Sequence, residues 1–160
     1  MAKNRLVTYE ELYNECNGDF TLINWTAECS YRNLSDDVIR KCREYIDWDA
    51  LSRYQKLSDD ILNEFKWNLN WRNISEYQTL SEDTIRRFKD KVDWELISEC
   101  QTLSEDFIRE FKDMVDWTFI SQAQVLSEDF IREFANKVCW NHIRDYQELS
   151  NDFKLKYVLD

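Results

Sequence analysis

Paired acidic residues recur with a 23-residue period along this 160-residue chain, in which carboxylates, 32 in all, are the most numerous ionisable side-chain groups. They fill the two positions after successive Leu-Ser dipeptides: Asp36, Asp37, Asp59, Asp60, Glu82, Asp83, Glu105, Asp106, Glu128 and Asp129. Carboxylates can bind calcium, and a row of them can imitate nucleic-acid phosphates. The spacing argues against calcium, because adjacent helical residues point in different directions and an EF-hand glycine is missing. The pattern therefore predicts an acidic ridge.

Histidine and cysteine offer little for catalysis. His142 is the only histidine, which excludes sites built from two or three histidines, and the five cysteines show no C-x-x-C spacing. Cys42 and Cys100 fall at positions that we expect to be core, and Cys139 replaces a helix cap. No glycine-rich phosphate loop is present. The sequence therefore predicts a protein that is not an enzyme, uses no cofactor or metal, and keeps its thiols reduced in the cytoplasm.

The net charge argues against nucleic acids and membranes as binding partners. Lysine and arginine number 21 against 32 aspartates and glutamates, giving a net charge of −11. Such a chain repels nucleic acids and anionic lipid surfaces. The sequence also offers no stretch of 18 apolar residues and no secretory signal at its start. We therefore expect no direct binding to nucleic acid or membrane.

The positions of the acids follow from an internal 23-residue repeat. Leu-Ser recurs at 23-residue intervals, beginning at residues 34, 57, 80, 103, 126 and 149, and tryptophan recurs at the same interval at 25, 48, 71, 94, 117 and 140. Five complete units span 34–148, a half unit spans 149–160, and 1–33 form a degenerate unit. Degenerate units at both ends are typical of stacked arrays, whose terminal repeats cap the core.

Each unit, numbered from its leucine, contains two helix starts. Serine at position 2 is a good N-cap and precedes apolar residues at helical spacing, and Asp or Asn at position 14 begins a second helix. We expect helices of about ten and eight residues, which are stable only when stacked. Without proline, and with Gly18 as the single glycine, the caps must make the turns. The predicted fold is an all-α solenoid of stacked antiparallel helical hairpins.

The acidic ridge has two possible interpretations, helix stabilisation and imitation of nucleic acid, and the positions of the charges leave both open. Fourteen acids lie at positions 3, 4 and 14, and the remaining 18 acids are outnumbered by the 21 basic residues. The whole negative excess therefore lies at helix starts, where acids stabilise the helix dipole. Four units also place an arginine four residues after the acid at position 3, a stabilising spacing. Stacking would nevertheless align the caps into a ridge that resembles a phosphate backbone.

Binding specificity is expected where the units differ. Position 11 is polar in four units but is Trp67 in one, which predicts an exposed tryptophan of the kind found at interface hot spots. The recurrent tryptophans are expected to pack between units instead. The remaining candidate partner-binding residues are Tyr45, Leu96, Met114, Phe119 and His142.

The unit from Leu103 to Val125, L-S-E-D-F-I-R-E-F-K-D-M-V-D-W-T-F-I-S-Q-A-Q-V, resembles short repeats of poorly characterised viral and phage proteins. The resemblance implies a host-directed binding protein. We therefore expect a non-enzymatic protein-binding module, an adaptor or inhibitor of a host protein, that is a monomer or weak oligomer. The alternative is an acidic nucleic-acid mimic that blocks the DNA- or RNA-binding site of a host defence nuclease, of the anti-CRISPR or anti-restriction type.

Overall fold

A computed structural model describes residues 5–157, and the chain divides into two compact units, Met1–Gln78 and Thr79–Asp160. Both are built from helices packed in series, which confirms the all-α solenoid class. The first unit contains strand β1 (Leu6–Val7), α1 (Tyr9–Glu15), a 3-10 turn (Phe20–Leu22), α2 (Trp25–Tyr31), strand β2 (Asn33–Leu34), α3 (Asp36–Lys41), α4 (Trp48–Tyr54), α5 (Asp59–Glu64) and α6 (Trp71–Tyr77). The second contains α7 (Glu82–Arg87), α8 (Trp94–Cys100), α9 (Glu105–Glu110), α10 (Trp117–Ala123), α11 (Glu128–Glu133), α12 (Trp140–Tyr146) and α13 (Asn151–Tyr157).

Side-chain caps begin the helices as predicted. The serines at position 2 accept a hydrogen bond from the backbone N–H three residues later: Ser35, Ser58, Ser81, Ser104 and Ser127. At position 14 the same bond is accepted by Asp47, Asn70, Asp93 and Asp116. Cys139 is the exception, because its side chain makes no cap hydrogen bond.

The first helix of each hairpin is shorter than the ten residues expected. In α9 the regular helix spans six residues, and Phe111 follows with φ −108° and ψ 26°. The N–H groups of both Met114 and Val115 then bond to the Phe111 carbonyl, at 2.8 and 3.1 Å. The apolar periodicity continues through this tight turn, so the sequence pattern alone overstates the helix length.

The two helices of a hairpin run antiparallel, because hydrogen bonds join their ends. At one end, the N–H of Leu103 bonds to the side chain of Gln124, just after α10, at 3.0 Å. At the other, the indole N–H of Trp117 donates to the Lys112 carbonyl at 2.9 Å. Between these ends, Ile108 on α9 and Ile120 on α10 are fully buried. The core therefore lies between the two rows of helices.

The N-terminal segment departs from the repeat. Leu6 and Val7 pair in parallel with Asn33 and Leu34, a short strand pair that the all-α prediction did not include. Gly18 has φ +82°, and a Cβ there would lie 3.0 Å from the Tyr13 ring, so this turn requires glycine. Over residues 5–157, none of the helices has the length and apolar composition needed to cross a membrane.

Candidate binding surfaces

Buried glutamines at position 22 fix the ends of the second helices. Gln124 accepts from the Leu103 N–H and donates through Nε2 to the carbonyls of Ser98 and Gln101, at 2.9 and 2.7 Å. These two carbonyls lie at the C-terminal end of α8, where many helices use glycine to satisfy their last backbone groups. Here the Gln124 side chain, which comes from the following repeat, satisfies these carbonyls in place of a glycine turn.

The same arrangement holds in the first unit. Gln55 accepts from the Leu34 N–H at 2.9 Å and donates to the carbonyls of Cys29 and Arg32, both at 2.6 Å. This role is not among the predictions from the sequence, although the recurrence of glutamine at 55, 78, 101, 124 and 147 indicates a repeated function.

Buried hydroxyl and thiol groups add a second link between repeats. Ser98 Oγ donates to the Trp94 carbonyl at 2.7 Å and accepts from the Asp116 N–H at 2.9 Å. Cys29 takes the place of this serine in the N-terminal repeat, accepting from the Asp47 backbone, and burial raises the pKa of its thiol to about 12. Together with the glutamines, these bonds fix the register of the second helices.

Position 21, at the end of each second helix, carries exposed tyrosines in the first unit. Tyr31, Tyr54 and Tyr77 are 75%, 46% and 43% exposed. The Arg53 guanidinium lies over the rings of Tyr54 and Tyr77, 5.2 and 4.5 Å from their centroids. We call these three tyrosines and Arg53 the tyrosine edge. Tyrosine and arginine combine large contact area with polar groups, which suits a protein interface.

A shallow cavity of about 180 Å³ adjoins this edge, lined by Arg32, Asn33, Tyr54, Gln55 and Lys56. Arg32 is held in place by Glu15 at 2.6 Å and by Glu28 at 3.1 Å. Burial raises the pKa of Glu28, and the positive charge of Arg32 partly offsets this rise.

Position 21 differs in the second unit, where Cys100, Ala123 and Tyr146 stand in place of the three tyrosines. Cys100 is exposed, so the prediction of a core position for it is wrong. The reason is that position 21 lies at the end of the second helix and outside the core. Cys42, by contrast, is buried as predicted, and burial raises the pKa of its thiol to about 11.

Several predicted partner-binding residues are accessible. Trp67 is 80% exposed, in the turn after α5, and Met114 is 40% exposed in the equivalent turn after α9. Tyr45 is also 40% exposed, but its ring stacks on Trp25 with 6.1 Å between centroids. The recurrent tryptophans pack between repeats as expected: the Trp94 ring lies 4.9 Å from that of Phe111.

Position 17 lies in the seam between consecutive second helices. Leu96 at this position is only 6% exposed, so the prediction that it is available to a partner is wrong. Phe119 and His142 are half-buried in the same seam, where His142 Nδ1 lies 3.1 Å from the Thr118 carbonyl. An apolar residue at this position packs against the neighbouring helix.

The predicted acidic ridge separates into two rows. Acids at position 3 face the next repeat: Glu82, Glu105 and Glu128 accept from the N–H groups of Ser104, Ser127 and Ser150 at 2.6–2.7 Å. Asp36 accepts from the Ser58 hydroxyl at 2.7 Å. Acids at position 4 point outward, and the side chains of Asp83, Asp106 and Asp129 are 87%, 94% and 92% exposed. Asp37 and Asp60, also at position 4, are exposed as well. Asp59, at position 3, is exposed too.

Arginines at position 7 neutralise part of both rows. Arg109 pairs with Asp106 at 2.9 Å and with Glu105 at 3.5 Å in its own repeat. Its Nε also donates to Glu133 of the next repeat at 2.8 Å, and this bond is the main reason that the pKa of Arg109 is raised. The guanidinium lies 4.9 Å from the Phe130 ring. We call this series of inter-repeat arginine–glutamate pairs the arginine ladder.

Among residues 5–157, no group of three or more His, Cys, Asp or Glu side chains is arranged to hold a metal ion. The fold and these surfaces define a helical repeat protein. Comparison of the chain with known proteins gives no matching family, no similar curated protein and no similar solved structure. The viral and phage resemblance of the repeat therefore stays a hypothesis.

Proposed function

We propose that this chain is a non-enzymatic protein-binding repeat module that holds its partner at the tyrosine edge. The observation that carries the proposal is the row of exposed Tyr31, Tyr54 and Tyr77, with Arg53 lying over two of the rings. Tyrosine has two side-chain torsions and therefore loses little conformational entropy when it is buried by a partner.

The scaffold beneath the tyrosine edge supports this proposal. Gln55 and Gln78 bond the ends of consecutive second helices together through their Nε2 atoms at 2.6–3.0 Å. The tyrosines therefore stand on helix ends of fixed register. A preorganised surface binds more tightly because it loses less conformational entropy when the partner associates.

The proposed setting is the cytoplasm of a host cell, with the chain acting as a viral or phage adaptor or inhibitor. The repeat resemblance and the absence of C-x-x-C cysteine spacing in the sequence support it. We propose a monomer or weak oligomer, with no direct contact to nucleic acid or membrane.

The test is affinity capture from host lysate followed by a binding titration with the purified partner. Wild type is compared with the double variant Tyr54→Ala, Tyr77→Ala and with Tyr146→Ala, which removes an exposed tyrosine from the same repeat position. We expect the double variant to weaken binding by about a hundredfold and the control to bind like wild type. Equal binding by all three proteins would contradict the assignment of the tyrosine edge.

Trp67→Ala is the second arm of the same titration. Its 80% exposure makes Trp67 a separate candidate contact, in the turn at the opposite end of the hairpin from Tyr77. A loss of binding confined to Trp67→Ala would place the partner on the turn after α5 and not on the tyrosine edge.

A second candidate function is nucleic-acid mimicry. The outward carboxylates of Asp83, Asp106 and Asp129, repeated at fixed intervals and 87–94% exposed, support it. The arginines at position 7 work against it, because each of these acids pairs with the arginine of its own repeat at 2.5–3.0 Å.

Mimicry of this kind predicts that DNA or RNA competes with the chain for a defence nuclease, and that affinity falls steeply with salt. The triple variant Asp83→Asn, Asp106→Asn, Asp129→Asn should then lose nuclease binding while Tyr54→Ala keeps it. Binding that is insensitive to both salt and nucleic acid would exclude mimicry.

A further inference from the structure

The arginine ladder repeats the same bond at three described steps. In each, Nε of an arginine donates to Oε2 of a glutamate 24 residues later, at 2.7 Å for Arg40–Glu64, 2.7 Å for Arg86–Glu110 and 2.8 Å for Arg109–Glu133. The glutamate occupies position 8 of the following repeat. The place beside Nε at each of these steps is therefore one that a carboxylate fills.

The ladder changes at its last described step. Lys156 follows Arg132 at the same sequence separation, in the position held by Glu64, Glu110 and Glu133 in the other steps. Arg132 keeps the pairs with Asp129 and Glu128 in its own repeat, and its guanidinium lies 5.0 Å from the Phe153 ring. Among residues 5–157, no carboxylate accepts from Nε of Arg132.

A cavity of about 410 Å³ lies at this place. Arg132, Lys156, Phe153 and Tyr157 line it, together with Glu128, Ser150 and Asp152. The Lys156 ammonium lies 5.2 Å from the centroid of the Tyr157 ring. The site thus combines two cationic groups with two aromatic rings.

The acids in the cavity wall do not replace the missing glutamate. Glu128 uses Oε1 to accept from the Ser150 N–H at 2.7 Å and Oε2 to bind Nη2 of Arg132 at 3.1 Å. These bonds, led by the one from Ser150, lower the pKa of Glu128 and keep it ionised. Asp152 lies in the first turn of α13, where its charge stabilises the helix N-terminus.

We propose that this cavity binds a carboxylate of an acidic peptide segment from a partner protein, in the place that the ladder glutamate fills elsewhere. The carboxylate accepts from Nε of Arg132 and from the Lys156 ammonium, and the Phe153 and Tyr157 rings contact the methylene groups that carry it. Charge-assisted hydrogen bonds of this kind are shorter and stronger than neutral ones. The site belongs to a different compact unit from the tyrosine edge and does not depend on it.

The probe is a capped peptide, acetyl-Gly-Glu-Glu-Gly-amide, with its Gln-Gln analogue as the neutral control. The full chain, labelled with ¹⁵N, is titrated at constant ionic strength while the side-chain Nε–Hε resonance of Arg132 is followed. The loss of that resonance in Arg132→Gln assigns it. We expect a saturable shift with the glutamate peptide and none with the glutamine peptide. Equal shifts with the two peptides would overturn the proposal.

Lys156→Glu is the decisive variant, because it restores the ladder within the chain. Its own carboxylate should shift the Arg132 resonance without peptide and should weaken peptide binding by at least about tenfold. The matched control is Lys154→Glu, which makes the same charge change on the same helix outside the cavity lining, and should bind the peptide within about twofold of wild type.

Three outcomes separate the site from its alternatives. Unchanged peptide binding by Lys156→Glu would overturn the site, and so would an equal loss in Lys154→Glu, which would indicate only a general charge effect. Tyr54→Ala should leave peptide binding unchanged. Failure at the tyrosine edge is therefore distinguishable from failure here.

Discussion

The two compact units share an internal scaffold but differ at the outer ends of their second helices. Gln55 in the first unit and Gln124 in the second make the same three hydrogen bonds. Position 21, only one residue before each of these glutamines, presents a row of tyrosines in the first unit and a mixed set in the second. Stacking therefore constrains the residues that face the next repeat and leaves their exposed neighbours free to diverge.

The cysteines show the same difference. Cys16, Cys29 and Cys42 of the first unit are buried, whereas Cys100 of the second is exposed and Cys139 is half-buried. Cys29, which replaces a serine of the scaffold, is buried and hydrogen-bonded. Cys100, which replaces a surface tyrosine, is exposed to reagents.

The largest expected effect is in the rates of thiol alkylation. With pKa values of about 12 and 11, Cys29 and Cys42 are almost entirely protonated near pH 8, and they react only when the first unit opens. Iodoacetamide should therefore label Cys100 at least about a hundredfold faster, as measured by mass spectrometry of the labelled peptides. In denaturant the rates should converge. If native Cys29 were labelled as fast as Cys100, the difference in thiol burial between the two units would be contradicted.

The glutamine scaffold should give the next largest effect. Gln124→Ala leaves one N–H and two carbonyls without partners, so we expect a loss of about 3 kcal/mol or more in the free energy of unfolding. Gln55→Ala should cost about the same, because its bonds are the same. Urea unfolding measures both, with exposed Gln122→Ala as the control, expected within about 0.5 kcal/mol of wild type. A large difference between Gln55→Ala and Gln124→Ala would show that the two scaffolds are not equivalent.

Inter-repeat tryptophans should have an intermediate effect. The Trp94 ring lies 4.9 Å from that of Phe111 and the Trp48 ring 5.0 Å from that of Phe65, both in tilted contact, and both tryptophans are half-buried. Alanine at either position should cost about 2–4 kcal/mol, somewhat less than truncating a fully buried tryptophan. Chemical denaturation of the two variants tests whether the units use this contact equally. A loss below about 1 kcal/mol in either would place that indole outside the packing.

The tyrosine edge should have the smallest effect on stability. Tyr54→Ala removes a half-exposed ring and one exposed cation–π contact, so we expect a loss below about 1 kcal/mol, similar to that of Tyr146→Ala. Thermal unfolding measures both variants. A clearly larger loss, confined to Tyr54→Ala and of the size expected for the tryptophan variants, would make the edge a structural element of the first unit.

The correct predictions from the sequence all rest on relations between residues close together in the chain or at equivalent repeat positions. An N-cap bond joins residues three apart, so Ser104 and Asp116 could be recognised from their neighbours alone. The core positions of Ile108 and Ile120 followed from helical spacing and the repeat. The exposure of Trp67 followed from polar residues at its position in other repeats.

The errors concern residues whose surroundings belong to another repeat. Leu96 is only 6% exposed, and nothing in its own helix indicates this burial, because the residues that cover a helix lie elsewhere in the chain. The bonds of Gln124 span 21, 26 and 23 residues, so its role could not be deduced from local spacing. The tyrosine edge shows the same limit: position 21, which the repeat pattern predicts to be core, lies at the exposed end of the second helix.

By itself, the sequence determined the 23-residue period, the caps that replace glycine and proline in the turns, and the apolar stripe of the helices, because each depends on residues within one helix or turn. Only the tertiary structure decided which recurring residues face the next repeat and which face solvent. Stacking makes that choice, since it buries one side of each second helix and leaves its end exposed. The tyrosine edge and the change of the arginine ladder at Lys156 both follow from it.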